Sequence, residues 1–459
     1  MYFIYRLSWK PAILCGVAFG MGFFIGLLYW IGEFGYLPWI ALAIFQMIFI
    51  LCFTVSAKLI GQRLGLWGRF ILLPSLWVLF EYIRSLGMFG FTWGDLGYSQ
   101  YKVLPIIRYA SYAGVWGVSF LLAMSNSALA NLWFAWKDKS SRRTAIRQVA
   151  LVIIIAVMSL PIRVLTMSAY RDIPVLKAAV VQGNINQDIE ESVEFFDNSW
   201  STYRALTRKA GDLGAQLIVW PETVVPGVAG RDLYAQEQLK SLADAANANL
   251  LVGGWDEDGR GKVFNSAFLI DPNHGIVGKY AKVHLVPFGE FIPAKQLMPF
   301  LKYYRVKTFD ISPGTGYNLI DLGSHKIGTA ICFESTFPYI SRRLAASGAE
   351  VLCVITNDCW FDRTAAAEEH MAMSVLRAVE NHRYVLRAAS TGTSVIIDPE
   401  GHIMSRVGLC RAGLLVEDIR LHTDKTFYTR HGDWLVGASA ILAAFLSGVS
   451  LRRKQHGHH

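Results

Sequence analysis

Apolar residues are distributed unevenly along this chain. Long apolar stretches cover roughly 11–31, 38–57, 68–84, 108–135 and 148–166, and one more covers 434–450. A helix needs about 20 such residues to cross the hydrocarbon core of a bilayer, so each stretch predicts a membrane span. Between 171 and 430 the pattern changes to short strand-like runs separated by helical ones. "VLKAAVVQGNI", "AQLIVWPET", "ANLLVGGW", "NSAFLIDP", "HKIGTAICFE", "EVLCVITND" and "TSVIIDPEG" read as strands, and 191–211, 233–248 and 365–384 as helices. Such alternation predicts an α/β domain whose sheets are covered by helices.

The polar ends of the spans orient them, because Lys and Arg collect in cytoplasmic loops. Arg6 and Lys10 precede the first span, Lys58, Arg63 and Arg69 follow the second, "KDKSSRRTAIRQ" follows the fourth and "RRK" the last. The loop "GEFGYLPW" has no basic residue. The expected organisation is therefore a bundle of about five spans over 1–170, an extracytoplasmic domain over 171–430, and a last span with a cytoplasmic tail over 431–459. Both termini are expected in the cytoplasm. No small-residue cleavage site follows the first span, which argues against a signal peptide, and the bulky Leu14 before Cys15 argues against lipoprotein processing.

Within the bundle, Gly16, Gly20, Gly22 and Gly26 form small-xxx-small steps that suit close helix packing. Gly114 and Gly117 predict a break in the long fourth stretch. Glu81 and Arg84, three residues apart near the end of the third, read either as a local ion pair or as a headgroup or substrate contact, since ionisable groups at membrane depth are costly.

Composition sharpens this picture at three points. Charged residues make up only 17% of the 459, and the mean hydropathy is +0.33, as a membrane protein requires. The net charge of +9 lies largely in loops beside apolar spans, so nucleic acid is not the expected partner. The six cysteines show neither a CxxC pair nor zinc-ligand spacing with histidines. No metal or other cofactor is expected, and a thiol is free for chemistry.

Three polar groups at strand ends then stand out. Glu222 in "LIVWPET" follows a buried-type strand on a proline-stiffened turn. Lys282 and Glu290 flank the apolar loop of "YAKVHLVPFGEFIP", which can desolvate the amine. Cys332 in "IGTAICFES" ends an apolar strand just before a helix opened by Pro338, a turn that exposes a nucleophile. Taken singly, each has a bland alternative: a capping carboxylate, a solvated charge, a packed thiol. Together they make a mechanism. A thiol with an ordinary pKa of about 8.5 needs a base; Glu222 supplies one, and Lys282 can stabilise both a thiolate and an oxyanion. Glu290 would orient Lys282, and a facing cation would let Glu334 sit beside the thiol.

The ordered set Glu222–Lys282–Cys332 resembles the nitrilase superfamily. "VVQGNINQ", "WPET", "YAKVHLVPFGEFIP", "CFES", "NDCWF", "RAVENHRYVLRAASTG" and "TFYTRHGDW" are similar to its membrane-bound branch, the bacterial apolipoprotein N-acyltransferases. So are "GVAFGMGFF", "LWVLFEYIRS", "GFTWGDLGYSQ" and "GVWGVSFL" in the apolar half.

The resemblance implies a multi-pass α-helical membrane bundle carrying an αββα sandwich, in the bacterial inner membrane and as a monomer. It implies transfer of a fatty acyl chain from a phospholipid, through a cysteine thioester, to the N-terminal amine of a diacylglyceryl-cysteine lipoprotein. Glu222 would be the base, Lys282 the oxyanion stabiliser and Cys332 the nucleophile, with Glu290, Glu334, Phe333, Tyr280 and Trp360 in support. Departures from the family pattern are two fewer N-terminal spans, Glu191 near an expected tryptophan, Phe333 for a common tyrosine, "WFDRTAAAEEH" for a Gly- and Gln-containing loop, and Ser390 for a usual asparagine. A membrane-tethered amidase, an acyltransferase for another amine, and a non-catalytic lipid- or lipoprotein-binding relative are the alternatives.

Overall fold

The computed structural model describes residues 2–136, 139–158, 173–185, 193–293, 310–361 and 363–456. The chain forms two compact units, one of residues 1–170 and 431–459, the other of 171–430.

The first unit is helical. Among the described residues, five helices are long and apolar enough to cross a membrane: α1 (Trp9–Leu27), α2 (Tyr36–Gly61), α3 (Leu66–Arg84), α4 (Ala110–Phe134) and, at the far end of the chain, Trp434–Arg453. The predicted span at 148–166 begins inside helix α5 (Lys139–Met158) and runs on into residues outside the described set. Helix α4 breaks at Ala113–Gly114, where Gly114 adopts a φ of +64°. That is the break predicted at Gly114, and the conformation suits a residue without a Cβ.

The glycine stripe of α1 divides into two kinds. A Cβ at Gly16 would come within 2.9 Å of Thr54, and one at Gly20 within 2.8 Å of Met47, so these two positions let α2 approach. Gly22 and Gly26 face open space and do not serve that packing. The ion pair expected between Glu81 and Arg84 is also redrawn. Arg84 pairs with Asp95 and donates to the Trp93 carbonyl at 2.6 Å, while Glu81 accepts from Trp77 at 2.7 Å and from the Leu96 amide at 2.8 Å. Glu81, Arg84 and Asp95 are all buried, so these contacts take the place of solvent around the charges.

The second unit is built from two six-stranded sheets. In the first the order is β12-β1-β2-β3-β4-β5, with β1 (Val175–Gln182), β2 (Leu217–Val219), β3 (Asn249–Glu257), β4 (Val263–Asp271), β5 (Gly275–Ala281) and β12 (Gly413–Arg420). In the second it is β11-β10-β9-β8-β7-β6, with β6 (Ile320–Leu322), β7 (His325–Ile331), β8 (Val351–Thr356), β9 (Val385–Ala389), β10 (Ser394–Ile397) and β11 (Ile403–Val407). Each sheet has a parallel centre (β1-β2-β3 and β7-β8-β9) and antiparallel flanks.

One apolar core joins the two sheets, with Val180, Val219 and Leu251 from the first and Ile331, Ile355 and Leu386 from the second. A separate core lies between the first sheet and helices α6 (Val193–Asp212) and α7 (Leu233–Ala246). Helices α8 (Pro338–Ala346) and α9 (Ala366–Asn381) cover the second sheet. The layers are therefore αββα. The continuous apolar runs of β2 and β8 are buried at every position, as strands covered on both faces must be. The helical reading of 365–384 is too long: α9 stops at Asn381, His382 caps it at φ +53°, and 385–389 is strand β9. The β-branched and apolar "VL" of that strand joins a parallel centre that local helical period does not reveal.

Candidate active site

The groups singled out in the sequence sit at the carboxyl ends of strands. Glu222 follows β2, Lys282 follows β5, and Cys332 follows β7. Ends of parallel strands are where open α/β sheets gather ligand-binding groups, because the chain there leaves the ladder for loops.

The local backbone is shaped for this. Cys332 opens a 3-10 turn at φ +51°, and Thr223 and Phe288, beside Glu222 and within the Lys282–Glu290 loop, adopt +50° and +64°. Such values are strained for residues with side chains and recur at functional sites. Gly253 in β3 makes the first turn possible: a Cβ there would lie 2.4 Å from the Pro221 carbonyl and 2.6 Å from the Glu222 Cα.

Lys282 is buried and joins the two carboxylates. Its Nζ donates to Glu290 Oε1 at 2.7 Å and lies 3.5 Å from Glu222 Oε1. Asn265 donates through Nδ2 to Glu222 Oε1 at 2.6 Å and to Glu290 Oε1 at 3.3 Å. The Asn357 amide holds the other Glu222 oxygen at 2.7 Å, and the Val286 amide holds Glu290 Oε2 at 2.7 Å.

The proton affinities follow from these contacts. Burial works against the Lys282 ammonium, yet Glu290 and Glu222 outweigh it, and its pKa is raised. Glu222 is pushed up by burial and by Glu290, with Lys282 pulling the other way. Glu290 holds the closer bond to the shared ammonium, at 2.7 Å against 3.5 Å for Glu222. The Cys332 thiol is also pushed up, by burial and by the Glu222 charge, with Lys282 opposing and a hydrogen bond involving Thr356 helping to oppose. Cys332 keeps part of its surface open. The set therefore combines a thiol and a carboxyl group that both hold a proton more tightly than usual with a fixed cation.

Glu334 is held by hydrogen-bond donors on both of its oxygens. Its Oε1 accepts from the Tyr280 hydroxyl at 2.9 Å and from the Val283 and His284 amides at 2.7 and 3.0 Å, and its Oε2 from the Ile331 amide at 2.9 Å. Four donors explain why a buried carboxylate is tolerated there; the cation anticipated from sequence is a lesser contribution. Glu334 thereby clamps the Cys332 turn to the segment after Lys282, and Tyr280 serves that clamp. Phe333 packs edge-on against Phe337 at 5.0 Å and lies 5.8 Å from the His284 ring. Burial and Lys282 lower the pKa of His284 to about 4, so its ring joins this aromatic wall uncharged. Trp360 lies in the turn Cys359–Phe361 and is about half exposed, at 53%. Glu191 falls outside the described residues.

Sequence reading missed Asn265, Asn357 and His370. Asn265 was legible as a polar residue interrupting the apolar run of β4. Asn357 acts through its backbone amide, which no side-chain pattern marks. Ser390 supports it, donating to Asn357 Oδ1 at 2.7 Å.

Among the described residues, His382, His422 and Asp424, and separately Asp398, Glu400 and His402, bring metal-type donor atoms within 4.8 Å of one another. Neither group includes Glu222, Lys282 or Cys332, and in each a histidine already bonds a carboxylate at 2.7 Å.

A two-sheet sandwich with a glutamate, a lysine and a cysteine on its strand ends has the make-up of the carbon–nitrogen hydrolases, and residues 177–426 match the family model described as Carbon-nitrogen hydrolase. Residues 1–128 match a second model, the Apolipoprotein N-acyltransferase N-terminal domain. The apolipoprotein N-acyltransferase of Geobacter metallireducens is 35% identical, covering 98% of this chain and 89% of its own length. Apolipoprotein N-acyltransferase 1 of Treponema denticola is 30% identical over 91% and 84%, and the Haemophilus ducreyi enzyme 27% over 98% and 90%. Among solved structures, an amidase from Nesterenkonia sp. is similar at 19% identity and a TM-score of 0.43, covering 58% of this chain and 96% of that one. This chain belongs to the apolipoprotein N-acyltransferase family.

Proposed function

We propose that this protein moves a fatty acyl chain from a membrane phospholipid to the N-terminal amine of a diacylglyceryl-cysteine lipoprotein, using Cys332 as the nucleophile. Glu222 takes the thiol proton as Sγ attacks the ester carbonyl of the phospholipid. The ammonium of Lys282 stabilises the oxyanion. The tetrahedral intermediate collapses to a Cys332 thioester as the C–O bond breaks, and Glu222 returns its proton to the departing lysophospholipid. The lipoprotein amine then attacks the thioester, Glu222 accepts the amine proton, and the proton ends on the released Cys332 sulfur.

The observation that carries this reading is the buried Lys282 ammonium bound to both Glu222 and Glu290 next to a thiol of raised pKa. Such a thiol is inert until a base acts on it, which suits an enzyme that must avoid stray alkylation and hydrolysis. The distribution of Lys and Arg in the loops supports an α/β unit outside the cytoplasm, both termini inside it, and the bacterial inner membrane as the site of action. The enzyme acts as a monomer.

Incubation of the purified protein with phospholipid, followed by intact mass spectrometry, should give a fatty-acyl adduct on Cys332 that is absent from Cys332→Ser. Addition of a diacylglyceryl lipopeptide should discharge it onto the amine. Absence of the adduct together with turnover of soluble amides would point to a tethered amidase instead.

A further inference from the structure

Behind the Cys332 turn lies a polar cluster that the acyl-transfer steps do not use. His370 projects from the apolar face of α9, buried to 1% exposure. Its Nε2 is 3.2 Å from the Cys332 carbonyl oxygen and 2.9 Å from Ser335 Oγ. The Ser335 hydroxyl itself donates to the Cys332 carbonyl at 2.7 Å. Since the serine hydrogen is used there, the ring Nε2 carries the hydrogen that faces these two oxygens.

The other side of the ring is just as fixed. Its Nδ1 lies 3.1 Å from Asp358 Oδ1 and 3.1 Å from Arg387 Nη2. Arg387 donates to Asp358 Oδ2 at 2.8 Å, and the Thr356 hydroxyl to Asp358 Oδ1 at 2.9 Å. Asp358 and Arg387 are fully buried, and a Cβ at Gly392 would come 2.2 Å from Asp358 Oδ2, so the pair fits only against a glycine. Burial and Arg387 lower the pKa of His370, while the Arg387 guanidinium overcomes burial to bring Asp358 down to about 2.

Two consecutive residues at the end of β8 therefore reach both reacting groups. The Asn357 amide holds the base Glu222, and Asp358 holds the guanidinium of Arg387, which donates to Nδ1 of His370 and so fixes the ring whose Nε2 holds the carbonyl of the nucleophile. We infer that His370 and Asp358 are positioning residues: they lock the Cys332 carbonyl and so keep the residue in its left-handed conformation, with the sulfur aimed at the base. Released from that carbonyl, Cys332 sheds strain by returning to ordinary backbone angles, and a shift of about 1 Å at a reacting atom is enough to lose about 10²-fold in rate. The inference rests on Cys332 being the nucleophile, and it is testable without either acyl substrate.

The test uses the full-length protein in detergent. The rate at which iodoacetamide modifies Cys332, followed on its peptide by mass spectrometry, is measured beside kcat and KM for acyl transfer and beside the melting temperature. His370→Ala should slow both Cys332 alkylation and kcat by about 10²-fold with KM unchanged. His370→Gln, whose amide N–H can take the place of the Nε2 hydrogen, should recover to within about tenfold of the parent. Undiminished alkylation in His370→Ala overturns the inference, as does an equal loss in folded Gln and Ala variants, which would mark a proton-transfer role. If His370→Ala does not fold, Ser335→Ala removes the other bond to the same carbonyl and should slow alkylation about three- to tenfold; an unchanged rate there also overturns it. Failure of the parent protein to form an acyl adduct would sink the transferase reading while leaving this alkylation result standing.

Discussion

Both units of this molecule bury a cation among carboxylates, and the two clusters differ in what stands beside the charges. In the helical unit Arg84 meets Asp95 while Glu81 is taken up by Trp77 and the Leu96 amide. In the α/β unit Lys282 meets Glu222 and Glu290, and a thiol whose proton is held tightly stands in the same electrostatic neighbourhood. Burial of charge is thus not what marks a site. What distinguishes the second cluster is an incomplete match: Glu290 takes the close bond to the ammonium, and Glu222 keeps a raised affinity for a proton beside a nucleophile. In the first cluster the charges meet one another, neutral donors and a backbone carbonyl.

The largest effects should separate the two clusters outright. Lys282→Met should reduce acyl-adduct formation by about 10²–10³-fold and slow the alkylation of Cys332, because the thiolate loses its cation. Arg84→Met leaves Asp95 buried without its partner and should cost about 3–5 kcal/mol of stability, read as a lower midpoint of unfolding, with Cys332 alkylation unchanged in the folded fraction. Slow alkylation in folded Arg84→Met would break the comparison.

A smaller effect sharpens it. Asn265 donates to Glu222 at 2.6 Å, a bond that favours the carboxylate and lowers its pKa. Asn265→Ala should raise that pKa further, so that as pH falls the base is lost earlier, and the acid limb of the Cys332 alkylation profile moves to higher pH. Loss of one such bond to a charged group is worth about 1.5–3 kcal/mol. An acid limb that stays in place would show that Glu222 is not the base.

The smallest effect lies away from both clusters. Burial acts against the charged ring of His382, but bonds to Asp424 and Glu400 raise its pKa to about 9. A raised pKa means that folding favours the protonated ring, so its contribution is full below about pH 6.5 and is lost as pH rises through about 9. Since Asp424 is 55% exposed, the contribution is about 1 kcal/mol at most. His382→Asn should flatten the decline of the urea midpoint across that window; an unaltered slope would remove His382 from the account.

Much of the architecture was legible before any coordinates. Uninterrupted apolar runs mark membrane helices because a bilayer imposes a length, and strands buried on both faces, such as β2 and β8, announce themselves as short apolar runs for the same solvent-exclusion reason. Glu222, Lys282 and Cys332 were legible as polar side chains at the ends of such runs, where the structure places them. Strand β9 was not, since "VLRAA" is too short to stand apart from the helix before it.

Composition and order along the chain by themselves determined that this is a membrane-embedded helical unit joined to an α/β unit, and singled out the three groups on which the proposed chemistry rests. Only the tertiary structure decided which partners those groups take. Arg84 pairs with Asp95 rather than with its neighbour on the helix, Glu334 takes four donors, the Asn357 amide reaches Glu222, and His370 reaches the Cys332 carbonyl from a helix far along the chain. Hydropathy is a property each residue brings with it, whereas a hydrogen bond needs two groups within about 3 Å, and that separation exists only after the sheets have packed.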